Sequence, residues 1–168
     1  MLLFIIAHNR AKWAASQICL DPLSHQFGGM NGASHGMIYV KGRAENMPFQ
    51  SRSFDIVSSI DSLDHFDNVD LALKEIHRVL RVGGVFLLYV DLNPGELAPC
   101  SLHSFDFSLV EKIERYGFRI DWSKETEHDN DFCPARGVIA SWNCPKFDHS
   151  GVMIRRAFLT LRATKLST

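Results

Sequence analysis

Asp21 closes the short apolar run Gln17-Ile18-Cys19-Leu20 and is followed by Pro22, a turn signal. A carboxylate there can accept two hydrogen bonds from a ribose diol, or it can serve the turn by bonding nearby backbone. His65 comes soon after a second apolar run, 54–60. An imidazole in that place can act as a general base or pack against the next helical turn. His77 lies beside an apolar stripe and reads as a solvent-facing or core-edge residue. The four cysteines, at 19, 100, 133 and 144, show no C-x-x-C spacing, and no histidine pair stands beside them at ligand spacing. No metal is expected, and the thiols read as free in a reducing compartment. Cys100 has nothing nearby in sequence that would activate it as a nucleophile.

Ligands of open α/β sheets bind at the carboxyl ends of the strands, so the elements decide which of these groups can meet. Leu2 to Ala7 reads as a buried strand, too short to span a membrane and lacking the basic flank of a secretory signal. Residues 17–20 make the next strand, a stretch with Gly28, Gly29, Gly32 and Gly36 follows, and 37–40 and 54–60 give two more. Val69, Ala72, Leu73, Ile76, Val79 and Leu80 recur at helical spacing and predict a helix over 68–81. Asp67 or Asn68 can cap it, Asp70 and Lys74 form an i,i+4 pair, and Gly83-Gly84 is expected to stop it. Val85 to Val90 is continuously apolar, as suits a parallel strand covered on both faces. Leu109, Val110, Ile113 and Tyr116 line a helix ended by Gly117, and residues 118–122 alternate as a strand. Residues 137–142 give one more strand, which would close the sheet with an antiparallel hairpin, and Trp122 and Trp142 are expected in the core. The class is α/β, doubly wound and mostly parallel. Beyond a domain of residues 1–147, Arg155, Arg156, Arg162 and Lys165 with Ile154, Phe158 and Leu161 suggest a basic, amphipathic helical tail.

The 168 residues are 46% hydrophobic and 22% charged, and 18 Lys and Arg against 19 Asp and Glu leave a net charge of −1. That balance offers no broad electrostatic footprint for nucleic acid or an anionic membrane. The chain reads as one soluble, cytoplasmic domain.

Four segments in fixed order are far more specific than any single residue. They are Gly42-Arg43-Ala44-Glu45-Asn46-Met47-Pro48-Phe49, Ser53-Phe54-Asp55-Ile56-Val57, Leu63-Asp64-His65, and Glu75-Ile76-His77-Arg78-Val79-Leu80-Arg81-Val82-Gly83-Gly84. Together they resemble the class I S-adenosylmethionine-dependent methyltransferases, in the group of small domains called type 11. The resemblance implies a Rossmann-like sheet, S-adenosylmethionine as cofactor and a small-molecule methyl acceptor, and the charge balance leads us to expect neither nucleic acid nor membrane as partner. It implies that Asp21 holds the cofactor ribose, that Arg43, Ala44 and Glu45 form the adenine segment, and that Ser59, Ile60 and Asp61 pass the methionine part. His65 becomes the candidate base. Where this family usually has Asp, Arg43 cannot accept a hydrogen bond from the adenine amino group, although its guanidinium could stack on the ring.

The resemblance also implies a central first strand followed by a glycine loop that cradles the cofactor's amino-acid end. The 20 residues before Asp21 contain no glycine, and His8-Asn9-Arg10 stands where the loop is expected. Leu2 to Ala7 is therefore expected in the central slot, with Ala11 to Ser16 as a stunted helix. The chain reads as a truncated or diverged member that binds S-adenosylmethionine weakly or not at all. The alternative to methyl transfer is a catalytically silent fragment or binding module.

Overall fold

The computed structural model describes residues 3–7, 16–23, 38–92, 101–128 and 156–167. Seven strands form one sheet: β1 (Leu3–Ala7), β2 (Ser16–Leu20), β3 (Ile38–Val40), β4 (Phe54–Ile60), β5 (Leu80–Leu92), β6 (Phe118–His128) and β7 (Arg156–Lys165). Their spatial order is β3-β2-β1-β4-β5-β7-β6. The first five places follow the doubly wound order of nucleotide-binding sheets. β2 and β3 pair in parallel, as do β4 and β5, whereas β1 and β7 run against both of their neighbours. Five strands therefore share one direction and two oppose it.

β1 takes the central slot expected for it, but reversed. Leu3 lies opposite both Leu20 and Ser59, and Ala7 lies opposite Ser16. A parallel crossover needs about a dozen residues, and only residues 8–15 join β1 to β2. The short connection dictates a reversed strand. The expected helix over 11–16 fails at Ser16, which is already in β2; the rest of it, the glycine-rich stretch 28–36 and the strand over 137–142 lie outside the described residues.

Helix α1 (Val69–Val79) is capped by Asn68, whose side chain accepts from Leu71 N at 3.0 Å. Its buried stripe of Val69, Ala72, Leu73, Ile76 and Val79 is the one its spacing predicts. Asp70 pairs across to Lys112 at 2.9 Å and accepts from Tyr116, not from its i,i+4 neighbour Lys74. The helix ends at Val79, before the glycines. Gly83 (φ 73) instead sits in a bulge of β5, where the register moves from Phe54–Leu80 to Ile56–Val85. Five steps along β5 against two along β4 need a backbone turn that glycine adopts without strain.

α2 (Leu109–Arg115) is followed by Gly117 at φ 84. Both helices bury their apolar faces in one core with Phe86, Leu88 and Val90 of β5, Phe118 of β6 and Leu159, Leu161 and Ala163 of β7. The basic tail is therefore not a helix: residues 156–165 form the strand wedged between β5 and β6. Ala157, Leu159, Leu161, Ala163 and Lys165 are buried, a period of two that the i,i+3 spacing of Phe158 and Leu161 obscured. The antiparallel closure is real, with β7 as its second strand. Trp122 is half exposed, because the register of β6 shifts between Ile120 and Trp122. No helix among the described residues is long and apolar enough to cross a membrane.

His77 is a core-edge residue. Its ring meets Phe118 edge to face at 5.3 Å, and its Nε2 is buried with no hydrogen-bond partner among the described residues. Burial, and then the charge of Lys165, hold its pKa below the usual 6.5. As pH falls below 6.5, the unfolded chain therefore takes up this proton before the folded one does. Stability from His77 is complete above that pH and lost beneath it. Urea midpoints compared on either side should fall more in the native chain than in His77→Phe, and equal falls would remove His77 from the acid response.

Candidate functional site

The carboxyl ends of β2, β3, β4 and β5 meet at one edge of the sheet, which is where side chains from distant parts of the sequence can converge. Asp21 leaves β2 there, fully buried, and its Oδ1 accepts from Leu23 N at 2.6 Å. That is the turn bond open to it from sequence. A carboxylate has several lone pairs and can accept more than one hydrogen bond. Its backbone N donates to Val40 O at 3.1 Å and its carbonyl accepts from Gly42 N at 3.4 Å, so Asp21 and the start of the 42–49 segment are tied together. A Cβ on Gly42 would come within 2.6 Å of Leu20, which explains the glycine there. Cys19, just before Asp21, is an inert core thiol: burial, then the charge of Asp21, pushes its pKa up to about 11.

At the end of β4, Ser59 is fully buried and its hydroxyl lies 2.9 Å from that of Ser62. Ile60 is half exposed. Asp61 turns the chain at φ 48 and donates its N–H to Tyr89 O at 2.9 Å, which locks this turn to the end of β5. Burial, and then the neighbouring charge of Asp64, raise the Asp61 pKa, while His65 opposes the rise. Asp64 and His65 follow in a single 3-10 turn, Leu63–His65. His65 Nε2 stands 3.6 Å from Asp64 Oδ2, and that same oxygen accepts from Ser101 at 2.6 Å. Leu102 N and His103 N both donate to Asp64 O, so the segment that follows β5 is fastened beside His65. Cys100 and the other residues of 93–100 lie outside the described residues.

Arg43, Ala44 and Glu45 are placed differently from one another. Ala44 is buried. Arg43 forms an ion pair with Asp67, and Glu45 accepts from Asn68 N at 3.2 Å. Both charged side chains thus hold the turn that starts α1. The residues that hold this segment from below were not singled out by sequence reasoning. Glu75 accepts from Met47 N at 2.8 Å and receives Arg78 in a fork, with Nε at 2.6 Å and Nη2 at 2.8 Å. Arg78 also donates to Phe49 O at 2.8 Å and Met47 O at 3.1 Å. Their i,i+3 spacing on one helix face was the available signal. Among the described residues no group of His, Cys, Asp or Glu could hold a metal ion. A polar cleft of about 540 Å³ lies between the start of α1, His103 to Asp106 and Lys112, and Asp21, Ser59 and Asp61 do not line it.

The family described as methyltransferase domain matches residues 7–88, a span that includes β2 to β4, the 42–49 segment, α1 and most of β5. Over that stretch, just under half of its length, the chain is similar to methyltransferase domains. A phthiotriol/phenolphthiotriol dimycocerosates methyltransferase of Mycobacterium ulcerans is 44% identical to it over 59 residues, 35% of this chain and 21% of that protein. A fatty-acid O-methyltransferase of Mycolicibacterium smegmatis is 41% identical over 59 residues, again 35% and 21%. The chain thus matches about a fifth of the length of these curated relatives. A crystal structure described as a putative methyltransferase from Bacillus halodurans superposes with a TM-score of 0.64 at 20% identity, covering 89% of this chain and 83% of that one. That likeness establishes the Rossmann-like methyltransferase fold.

The residues fit the family's cofactor in part. At the carboxyl edge, a buried acid ends β2, a clamped segment follows β3, and a tight polar turn ends β4, as the adenosyl half requires. β1 does not fit. Its carboxyl end, Ala7, lies opposite Ser16, at the other edge of the sheet from Asp21.

Proposed function

We propose that this protein is an S-adenosylmethionine-dependent methyltransferase acting on a small-molecule acceptor. The observation that carries the reading is the convergence at one sheet edge of Asp21, the 42–49 segment and the 59–61 turn, all within the span matched by the family. Asp21 would hold the ribose, the segment around Ala44 the adenine, and Ser59 to Asp61 the approach to the methionine part. The cofactor supplies a methyl group already activated on a sulfonium. The chain's own work is to align the acceptor atom and to remove its proton, and His65 is the base for that step. The names of the two relatives favour an acceptor of lipid character, and that of the fatty-acid O-methyltransferase favours methylation on oxygen. A cytoplasmic setting belongs to the same reading.

One observation favours a second reading, a silent binding module. With β1 reversed, the amino-acid end of the cofactor loses its cradle, and affinity is expected to be weak. Equilibrium titration with S-adenosylmethionine and S-adenosylhomocysteine separates the two readings. Under the first, saturable binding appears, and Asp21→Ala weakens it by about 1–3 kcal/mol, the cost of losing a charge-assisted contact. Saturable binding unchanged by that substitution in a folded variant would reduce Asp21 to a turn residue. No binding to the native chain would favour the silent module.

A further inference from the structure

We infer that the site recognises adenosine compounds through their nucleoside half alone and draws no affinity from an amino-acid end. The inference deepens the proposed function and rests on its placement of the ligand at the carboxyl edge. Three observations carry it.

The first is the direction of β1. Leu3, at its start, sits opposite Leu20 and Ser59 at the edge that holds Asp21 and Asp61, and Ala7, at its end, sits opposite Ser16. Anions in such sheets are held by backbone N–H groups that follow a strand's carboxyl end and open a helix. The carboxyl end of β1, Ala7, lies on the far side of the sheet from Asp21. The second is charge. Along the chain, Asp21 follows β2, Asp61 follows β4, Asp91 lies next to the end of β5, and Asp64 stands in the turn after β4. Four acids favour neutral hydroxyl donors and repel a ligand carboxylate. The third is that the nucleoside side is built. Gly42 is bonded to Asp21, and Met47 and Phe49 are fixed by Glu75 and Arg78 through hydrogen bonds of 2.8–3.1 Å. A preformed wall contributes affinity because little ordering remains to be done on binding.

The test is calorimetric titration of the whole chain with S-adenosylhomocysteine, methylthioadenosine and adenosine, with free homocysteine as control. The expected result is three dissociation constants within about threefold of one another, no homocysteine binding, and parallel weakening of all three by Asp21→Ala. S-adenosylhomocysteine binding about tenfold or more tighter than methylthioadenosine would overturn the inference and leave the methyltransferase reading standing. Nucleoside binding by a chain that does not bind S-adenosylmethionine would uphold the inference and sink that reading. Absence of binding by every probe would overturn both.

Discussion

Replacing Lys165 by Met should cost this fold about 2–4 kcal/mol, although the residue lies in a stretch that reads as a basic, amphipathic helical tail. Lys165 is 4% exposed. Its Nζ donates to His77 O at 2.6 Å and to Leu80 O at 2.8 Å. The two carbonyls between them are taken by backbone donors, Arg52 N to Arg78 O at 2.9 Å and Ser53 N to Val79 O at 2.8 Å. The last carbonyls of α1, which no helix can satisfy internally, are thus completed from β7 and from the turn before β4. The cation also sits at the negative end of the helix dipole. Methionine keeps much of the stem's volume and removes only the ammonium. Hydrogen bonds from a charged donor are worth roughly 1.5–3 kcal/mol each, and relief of the buried charge returns part of that sum. For a chain of this size the loss corresponds to a fall in Tm of roughly 5–15 °C. A fall of a degree or less in thermal denaturation would show that water replaces the ammonium without cost.

Lys165 also illustrates what the sequence made legible. α1 and α2 were readable because each carries a helical period that burial follows, and β4 and β5 because each is a short run of strand-forming residues. β5, however, starts already at Leu80 and its burial alternates, leaving Leu87 exposed where cover on both faces was expected. The central place of β1 was readable from its apolar run. Its direction was not, because direction is set by the length of a connection between two strands and not by any residue in either. β7 carries two periods at once: Phe158 and Leu161 suit a helix, while Ala157, Leu159, Leu161 and Ala163 suit a strand. Only the vacancy between β5 and β6 decides between them. At the site, the backbone positions of Asp21, Gly42 and Asp61 were foreseeable from strand ends. The engagement of Arg43 and Glu45 with Asp67 and Asn68 depends on where α1 begins in space, which no local pattern records.

Arg78→Ala should destabilise the protein by about 2–4 kcal/mol and loosen the segment assigned to adenine. Glu75 is the more buried partner, and the paired guanidinium holds its carboxyl below the usual range, with the Met47 N–H adding to the effect. Removing Arg78 leaves that charge without its counter-ion, takes away the side-chain donor to Phe49 O, and leaves Met47 O with only the Phe49 N–H. Arg78→Lys should restore only part of the loss, because an ammonium cannot make the fork to Glu75 and reach both carbonyls together. In a double-mutant cycle with Glu75→Gln, the coupling should lie at about 1–3 kcal/mol, since the two groups touch and share Met47. The pH dependence gives an independent check. The folded pKa of Glu75 is depressed below 4.5, so its stabilisation is present above that pH and lost as the medium is acidified through the folded value. That acid-sensitive component should shrink in Arg78→Ala. Amide exchange at Met47 should quicken in the same variant, because its acceptor is no longer held in place. Full stability in Arg78→Ala with unchanged exchange at Met47 would mean that the segment keeps its shape without the Glu75–Arg78 pair.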